Sequence, residues 1–397
     1  MRKNTDLVAN QYSVFAITIL FFTFTFLEIV SLSSFPSFTG LLGNNSSILL
    51  INVLLILVTG MFAQKTLLQM FFWFLGISLI TMYYFSTKQF ESTFVYQIMI
   101  ILAVPASGIT FEKLVKIHLN AIASATLFVV LMSFLNFLPK SGTEATVLFS
   151  GYQNTVYAFG FNHPNFLGML IILMGIEFTF LNKESFNSLV VIVNIMTLTL
   201  AFMLGADTSF FGGLIVFSGY LLSLRSSRLS FLKKVIALVP IIMVGFAYWI
   251  TTQGGSTIYQ VVNKYVSSRP DLWSYYVSNF HIKFLGSNVV LNLNSGPTST
   301  FGNGILDGSY VYLSLYFGWF ALILFIVSLY AILKVGKQVD YNIYMFIFLS
   351  FSLMAFSENE SSLFTINVFL IIIGYYQYGL NRAAIMFSNR KELYHEK

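Results

Sequence analysis

Residues 310–333 read YVYLSLYFGWFALILFIVSLYAIL, a run of 24 residues without one charged side chain. A membrane hydrocarbon core of about 30 Å is crossed by an α-helix of about 20 mostly apolar residues. Backbone N–H and C=O groups find no partners in lipid, so such a run has to satisfy them within its own helix. The stretch therefore predicts a transmembrane α-helix.

Runs of this kind recur along the whole chain. They predict an all-α, polytopic membrane protein that forms one integral membrane domain over residues 1–397. The first run is too long for a signal-peptide core and no A-x-A-like site follows it, so we expect a retained helix. The twelve predicted spans are 12–32, 48–63, 66–85, 93–109, 114–137, 165–181, 189–204, 210–224, 235–250, 310–333, 341–356 and 363–380.

The composition excludes several other classes of protein. Of the 397 residues, 57% are hydrophobic and 9% are charged, and the mean hydropathy is +0.79. A soluble domain carries about 25% charged residues. A soluble enzyme, a disordered chain and a nucleic-acid-binding protein are therefore excluded. The chain has no cysteine, which excludes disulfides, thiolate metal sites and cysteine nucleophiles.

The distribution of basic residues predicts the orientation in the membrane. Of the 21 Lys and Arg residues, 16 lie in loops on one side of the predicted spans and 5 on the other. Because cytoplasmic loops retain Lys and Arg, both termini are predicted to be cytoplasmic. The formal charge of +6 is then a signal of topology, with some attraction to anionic lipid.

The longest predicted outer loop, residues 251–308, lies between the ninth and tenth spans and is named the large loop here. Long loops on a rigid scaffold commonly carry function. Apolar residues at helical spacing over 258–266, and Pro270 at a first helical turn, predict two short amphipathic helices on the outer leaflet. Arg269 would lie at the N-terminal mouth of the second helix, where phosphate binds well. The alternative is that Arg269 reaches to lipid headgroups.

Other polar residues stand at the ends of predicted spans. Asp207, Asp307 and Glu360 precede spans that begin outside, where an acid caps a helix or accepts a proton from a hydroxyl nucleophile. Asp307 is the preferred base because it closes the large loop. His163 precedes the sixth span, where it stands between Asn162 and Asn165 at a helix N-terminus. This combination suits an anionic or sugar ligand, and a purely structural role is the alternative.

Two acids fall inside predicted spans, where an ionised side chain is costly. They are Glu28 and Glu177. We expect Glu177 to pair with Lys183 near the inner end of its span. Structural pairing or snorkelling is favoured over a proton relay for both acids, because no chain of acids joins the two faces of the membrane.

Three short motifs resemble those of one family. Residues 160–165, GFNHPN, resemble its G-x-F-x-H-P-N element, and Arg269-x-x-x-Trp273 in the large loop resembles its R-x-x-x-W element. Residues 306–310, LDGSY, resemble the segment in which polymerases often carry D-N-S-Y and ligases carry H-N. With the span pattern, the chain resembles the O-antigen polymerase/O-antigen ligase family, the Wzy-like polysaccharide polymerases.

The resemblance implies a fold like that of C-type glycosyltransferases and a place in the bacterial cytoplasmic membrane. It implies polymerisation of repeat units for capsule, exopolysaccharide or O-antigen. A glycan would move from undecaprenyl pyrophosphate to a sugar hydroxyl at the outer face. The implied partners are lipid-linked oligosaccharides, the bilayer, a flippase and a chain-length regulator, with no nucleic acid, cofactor or metal.

The same resemblance implies roles for particular residues. Asp307 would be the base, and Arg269 would stabilise the departing pyrophosphate. Family members often carry an Arg in the loop that here reads GADTSF over 205–210, so Lys264 is a candidate replacement. Asp307 replaces the ligase histidine, which favours a polymerase over a ligase. The candidate substrate-binding residues are His163, Asn165, Tyr310, Trp273, Lys264, Asp207 and Glu358.

Two alternatives of other kinds remain at this point. A peptidoglycan glycan polymerase also uses an acid in a large outer loop. A flippase or secondary transporter of about twelve spans would show charges facing a central cavity, broken helices in matching halves and no long outer loop. The motif at 160–165 argues against the first, and the large loop argues against the second.

Overall fold

The computed structural model describes residues 2–35, 54, 67–87, 93–140, 142–146, 153–224, 230–266, 268–287, 289, 306–338 and 342–378. These residues are mostly helical, and two strands among them pair as an antiparallel hairpin. The predicted span 48–63 lies outside the described residues apart from residue 54. The large loop is described up to residue 289, with gaps at 267 and 288, and again from residue 306.

The elements follow one another in chain order and are numbered here for reference. The strands are β1 (Gly142–Thr146) and β2 (Gln153–Tyr157). A π-helix covers Leu313–Phe317, and 3-10 helices cover Glu360–Ser362 and Val368–Tyr378. The α-helices are α1 (Arg2–Ser31), α2 (Leu67–Thr87), α3 (Thr93–Ala106), α4 (Phe111–Phe134), α5 (Pro164–Leu181), α6 (Ser188–Met203), α7 (Asp207–Ser223), α8 (Ser230–Ile236), α9 (Val239–Thr251), α10 (Thr257–Tyr265), α11 (Arg269–Asn279), α12 (Ser309–Tyr312), α13 (Gly318–Gln338) and α14 (Ile343–Met354).

The helices are apolar enough to indicate a membrane protein. Three shorter apolar helices are Gln97–Ala106, Ser188–Met203 and Ile343–Met354. Among the described residues, six helical stretches have the length and composition to cross a membrane, where the sequence predicts twelve spans over the whole chain. These stretches are Tyr12–Ser31, Leu67–Phe85, Phe111–Phe134, Pro164–Leu181, Leu232–Thr251 and Ser309–Lys337.

The predicted twelfth span, 363–380, differs most from expectation. Residues 363–367 are irregular, and the chain then forms a 3-10 helix rather than a continuous α-helix. Polar side chains explain this, because they bond to the backbone and compete with a helix. The hydroxyl of Ser362 donates to the Asn359 carbonyl at 2.7 Å, and the amide of Asn367 donates to the Ser361 carbonyl at 2.9 Å.

Close packing of α7 against α14 brings two distant loops together. A Cβ atom added at Gly219 would lie 2.0 Å from the ring of Phe346, and one at Gly212 would lie 2.3 Å from the sulfur of Met354. Small residues allow helices to approach this closely. The start of α7 consequently lies beside the chain that leaves α14, and both contribute to the site described below.

The charged residues near the start of α4 and the end of α5 pair differently from expectation. Glu177 contacts His118, with 2.7 Å between Oε1 and Nδ1, and both side chains are fully buried. Lys183 contacts Glu112 instead, at 2.5 Å. The expected pair of Glu177 with Lys183 is therefore wrong. Sequence distance favoured Lys183, but the packing of α4 against α5 brings His118 to Glu177.

Candidate functional site

Two short helices, α10 and α11, occupy the described part of the large loop. Asp271 joins them, since the Tyr259 hydroxyl donates to its Oδ1 at 2.5 Å and the Asn263 amide donates to its Oδ2 at 2.7 Å. The backbone N–H of Asp271 donates in return to Asn263 Oδ1 at 3.2 Å. The two expected helices are thus present, and their placement on a lipid surface stays a prediction.

Arg269 is the first residue of α11, and its side chain bonds back to the chain that precedes the helix. Pro270 occupies the first turn, as the sequence predicts, and Ser268 precedes the helix in the left-handed region with φ of 61°. We expected Arg269 to lie just outside the helix, but the helix begins at Arg269 itself, one residue earlier. Its exposed fraction is only 7%, and its Nη1 donates to the Val266 carbonyl at 3.3 Å.

The guanidinium of Arg269 meets two carboxylates from distant parts of the chain. Its Nη2 lies 3.2 Å from Glu358 Oε1 and 3.4 Å from Asp307 Oδ2. Its Nε is buried and has no hydrogen-bond partner among the described residues. We call Arg269, Asp307 and Glu358 the guanidinium–carboxylate cluster. The side chain of Asp307 is 34% exposed and that of Glu358 only 12%, so Asp307 is the more accessible acid.

Aromatic packing fixes the backbone of Asp307. The indole N–H of Trp273, on the second turn of α11, donates to the Asp307 carbonyl at 2.5 Å. The same indole packs edge-on against Phe356, with 5.1 Å between ring centroids. The side-chain amide of Asn359 donates to the Leu306 carbonyl at 2.6 Å. The start of the tenth predicted span is therefore held by both α11 and the chain after α14.

Replacing Gly308 by Ala should disrupt this arrangement. Gly308 has φ of +97°, and an added Cβ would lie 2.8 Å from the Trp273 ring and 2.9 Å from the Phe356 carbonyl. The expected cost is about 1–3 kcal/mol of stability, seen as a lower melting temperature in detergent. Gly254→Ala is the matched control, because nothing lies within 4 Å of that position. Equal melting temperatures for the two variants would contradict the described packing.

Two hydroxyl residues that sequence reasoning missed hold Glu358. The Ser309 hydroxyl donates to the Glu358 carbonyl at 2.6 Å. The Thr208 hydroxyl bonds with the Ser357 hydroxyl at 2.8 Å and also reaches the Glu358 side chain. Ser309 stands in the LDGSY segment, and Thr208 in the 205–210 loop that lacks the family's Arg. Those two motifs were the available signals.

Burial controls the charge of the cluster. Burial raises the pKa of Asp307. The charges of Arg269 and His163 act in the opposite direction and lower that pKa by less. Burial also raises the pKa of Glu358, which Arg269 lowers and the neighbouring Glu360 raises further. Burial raises the pKa of Glu360 too, although backbone hydrogen bonds oppose that change. Burial and mutual repulsion therefore work against full ionisation of all three acids.

His163 lies within electrostatic reach of the cluster. Desolvation lowers its pKa, Asp307 raises it and Arg269 lowers it. Its Nδ1 accepts the backbone N–H of Asn165 at 3.1 Å and so caps α5. Nδ1 is then the acceptor nitrogen, which leaves the N–H of a neutral ring on Nε2. The ring is exposed, so His163 acts as a cap and still presents a donor to a ligand.

The structure does not bring the remaining candidate residues into the cluster as substrate contacts. Tyr310 is 1% exposed, and its hydroxyl donates to the Ser352 carbonyl at 2.7 Å. Trp273 is fully buried and contacts Asp307 through the bond from its indole N–H to the Asp307 carbonyl. Lys264 is exposed at the end of α10, and no ion pair of the described residues joins it to the cluster. Asp207 is the first residue of α7, and its Oδ1 is buried without a hydrogen-bond partner among the described residues.

The residues that the structure describes contain no group of three His, Cys, Asp or Glu side chains with the geometry to hold a metal ion. The arrangement that they do contain is one guanidinium, two contacting carboxylates and a nearby imidazole. Such a set can hold an anion, transfer a proton and stabilise developing negative charge.

The fold and the site together define a helical membrane protein with a buried guanidinium–carboxylate cluster at the start of one of its spans. Comparison with known proteins adds no family: no protein-family model matches the chain, and no curated protein is significantly similar to it. The resemblance described above consequently depends on the short motifs and the span pattern of the sequence.

Proposed function

We propose that this chain polymerises lipid-linked oligosaccharide repeat units for capsule, exopolysaccharide or O-antigen. A glycan would move from undecaprenyl pyrophosphate to a sugar hydroxyl of a second lipid-linked unit, at the outer face of the bacterial cytoplasmic membrane. One observation carries the proposal. Arg269 Nη2 lies 3.4 Å from Asp307 and 3.2 Å from Glu358, although 38 and 89 residues separate them in sequence.

The proposed reaction needs one base and one site for a leaving pyrophosphate. The acceptor hydroxyl oxygen bonds to the anomeric carbon while the bond from that carbon to the phosphate oxygen breaks. Asp307 takes the hydroxyl proton, because it is the more exposed acid. Undecaprenyl pyrophosphate leaves with the bonding electron pair, and Arg269 stabilises its negative charge. His163 and Asn165, at the N-terminus of α5, position sugar or phosphate.

Charge balance at the cluster bears on this proposal. With Asp307 and Glu358 both ionised, the cluster would carry one net negative charge and repel pyrophosphate. A proton on Glu358, which burial favours, leaves one guanidinium against one carboxylate.

The wider assignment follows from the same proposal. We place the chain among C-type glycosyltransferase-like proteins with twelve spans and both termini in the cytoplasm. The 16-to-5 distribution of Lys and Arg supports that orientation. A flippase that delivers repeat units and a chain-length regulator are the proposed protein partners.

A purified-protein assay tests the proposal. Protein in liposomes is given an undecaprenyl-pyrophosphate-linked oligosaccharide repeat unit, and the products are separated by size. We expect a ladder that grows by one repeat unit, with one undecaprenyl pyrophosphate released for each bond formed. Transfer of a whole chain to an unrelated acceptor would indicate a ligase, and a ladder formed only from lipid-linked peptidoglycan precursor would indicate a peptidoglycan polymerase.

A proton-coupled transporter is the second candidate, and one observation favours it. The fully buried pair of His118 and Glu177 is of the kind that carries protons in transporters. Glu177→Gln separates the two functions, because Gln keeps a hydrogen bond to His118 but does not titrate. We expect polymerisation within about threefold of the unsubstituted protein. Loss of a proton-driven flux of lipid-linked sugar, with no polymerisation in either protein, would favour the transporter.

A further inference from the structure

A buried histidine joins the membrane helices to the irregular segment 363–367. The Nδ1 atom of His118 lies 2.7 Å from Glu177 Oε1, and its Nε2 lies 2.9 Å from the Thr365 carbonyl oxygen. The exposed fractions of His118 and Glu177 are 0%, and that of Thr365 is 1%. Three separate parts of the fold thus meet at one imidazole ring.

The hydrogen-bond roles at this ring follow from chemistry. A carbonyl oxygen only accepts, so Nε2 must carry a hydrogen and donate it to Thr365. The contact between Nδ1 and Glu177 then requires one proton, either on the ring or on the carboxyl group. In both states the pair of His118 and Glu177 is neutral as a whole, which suits an apolar interior.

A continuous series of buried hydrogen bonds leads from this segment to Glu358. The amide of Asn367 donates to the Ser361 carbonyl at 2.9 Å. The hydroxyl of Ser361 donates to the Glu358 carbonyl at 2.9 Å and lies 3.2 Å from the Ser309 hydroxyl. Thr365 itself is seven residues after Glu358. Asn367 and Ser361 thus link the segment that contains Thr365 to the backbone carbonyl of Glu358, whose side chain contacts Arg269.

The segment needs such support because it is not helical. Residues 363–367 lack a regular helical ladder, so a buried carbonyl there depends on donors from elsewhere. His118 supplies one for Thr365. An apolar residue of similar size would fill the space without fixing the segment, whereas a hydrogen bond sets both its position and its orientation.

We propose that His118 is a positioning residue: through the Thr365 carbonyl it holds segment 358–367 so that Glu358 stays against Arg269. Its effect on turnover rests on the proposed function, whereas its effect on the position of the segment does not. The two effects are therefore measured separately.

The variants are compared in a Glu177→Gln background, which removes charge from the buried pair. His118→Gln places its amide nitrogen near the position of Nε2 and keeps the donor to Thr365. His118→Asn places its amide nitrogen near Nδ1 and leaves the Thr365 carbonyl without this donor. The two changes remove the same ring and differ chiefly in the atom that reaches Thr365.

Thiol labelling reports on the segment without any assumption about function. The chain has no cysteine, so Ser362→Cys introduces a single thiol at a side chain that is 0% exposed. A water-soluble maleimide should label it at least about tenfold faster with His118→Asn than with His118→Gln. Ser278→Cys on α11 is exposed and should label equally in both, which controls for reagent and overall folding.

Polymerisation is measured on the same proteins without the added cysteine. We expect His118→Gln to keep activity and His118→Asn to lose about 10²-fold in turnover, because a displaced segment would no longer hold Arg269 in place, and small displacements of catalytic groups are costly. Faster labelling with no polymerisation by any variant, or by the unsubstituted protein, would support the positioning role and contradict the proposed function. Equal labelling, or equal loss of activity in both folded variants, would overturn the positioning role.

Discussion

Replacing Arg269 by Ala is expected to lower the rate of polymer formation by about 10²–10³-fold, the usual effect of removing one strong donor to developing negative charge. The guanidinium is the one group of the cluster that can neutralise a departing pyrophosphate. Single repeat units should still accumulate, and the protein should still insert, since neither depends on this side chain. The measurement is the initial rate of ladder growth at equal protein in liposomes.

Arg269→Lys is the informative companion to this variant. It keeps the positive charge but has one ammonium group where the guanidinium contacts Glu358 and Asp307 through Nη2 and Val266 through Nη1. A loss of more than about tenfold would indicate directed contacts rather than charge alone. Polymers of normal chain length from Arg269→Ala would show that Arg269 has no part in the reaction.

Replacing Asp307 by Asn should have an effect of similar size, about 10²–10⁴-fold on turnover, because Asn keeps the shape and cannot accept the proton. The pH dependence gives a second test. Burial raises the pKa of Asp307 above its ordinary value of about 4. A base must be deprotonated to act, so the rate should rise with pH through that raised pKa and then level off.

The charge of Arg269 predicts how the rising part of the pH–rate profile shifts when Arg269 is replaced. Arg269 lowers the pKa of Asp307, so its removal should shift the rising limb of residual activity to higher pH. Asp307→Asn should abolish the limb altogether. An unchanged profile in Asp307→Asn would mean that another group accepts the proton and that Asp307 is only an ion-pair partner of Arg269.

Glu358→Gln and Glu360→Gln are the matched controls for Asp307. Glu358 has a raised pKa and a mainly buried side chain, so a neutral amide should replace it at a cost of less than about tenfold. Glu360 makes no ion pair with Arg269 among the described residues and should tolerate Gln at least as well. A large loss in Glu358→Gln together with an active Asp307→Asn would transfer the role of base to Glu358.

The placement of Asp307 and Glu358 gives each a distinct expected role. Asp307 is partly exposed and contacts Arg269, which suits exchange of a proton with a substrate. Glu358 is enclosed by Thr208, Ser309 and Arg269, which suits orientation of the guanidinium. The variants above separate these roles because each replaces one carboxyl group with an amide of the same shape.

Much of the fold can be predicted from local sequence. Apolar runs locate α1, α5 and α13, because a helix in lipid must satisfy its own backbone and so depends on composition alone. Pro164 and Pro270 mark the starts of α5 and α11, since proline suits a first turn. The irregular segment at 363–367 was missed, because its cause is a set of polar side chains acting on the backbone.

By itself, the sequence determined that this is a helical membrane protein, that the large loop carries two short helices, and which polar residues stand at helix ends. Those properties depend on neighbours within a few turns. Only the tertiary structure decided that Arg269 meets both Asp307 and Glu358. It also decided that Thr208 and Ser309 hold Glu358. The contact of Glu177 with His118 rather than with Lys183 was decided in the same way. Such contacts join residues far apart in the chain, and they depend on which helices pack together, which no local pattern encodes.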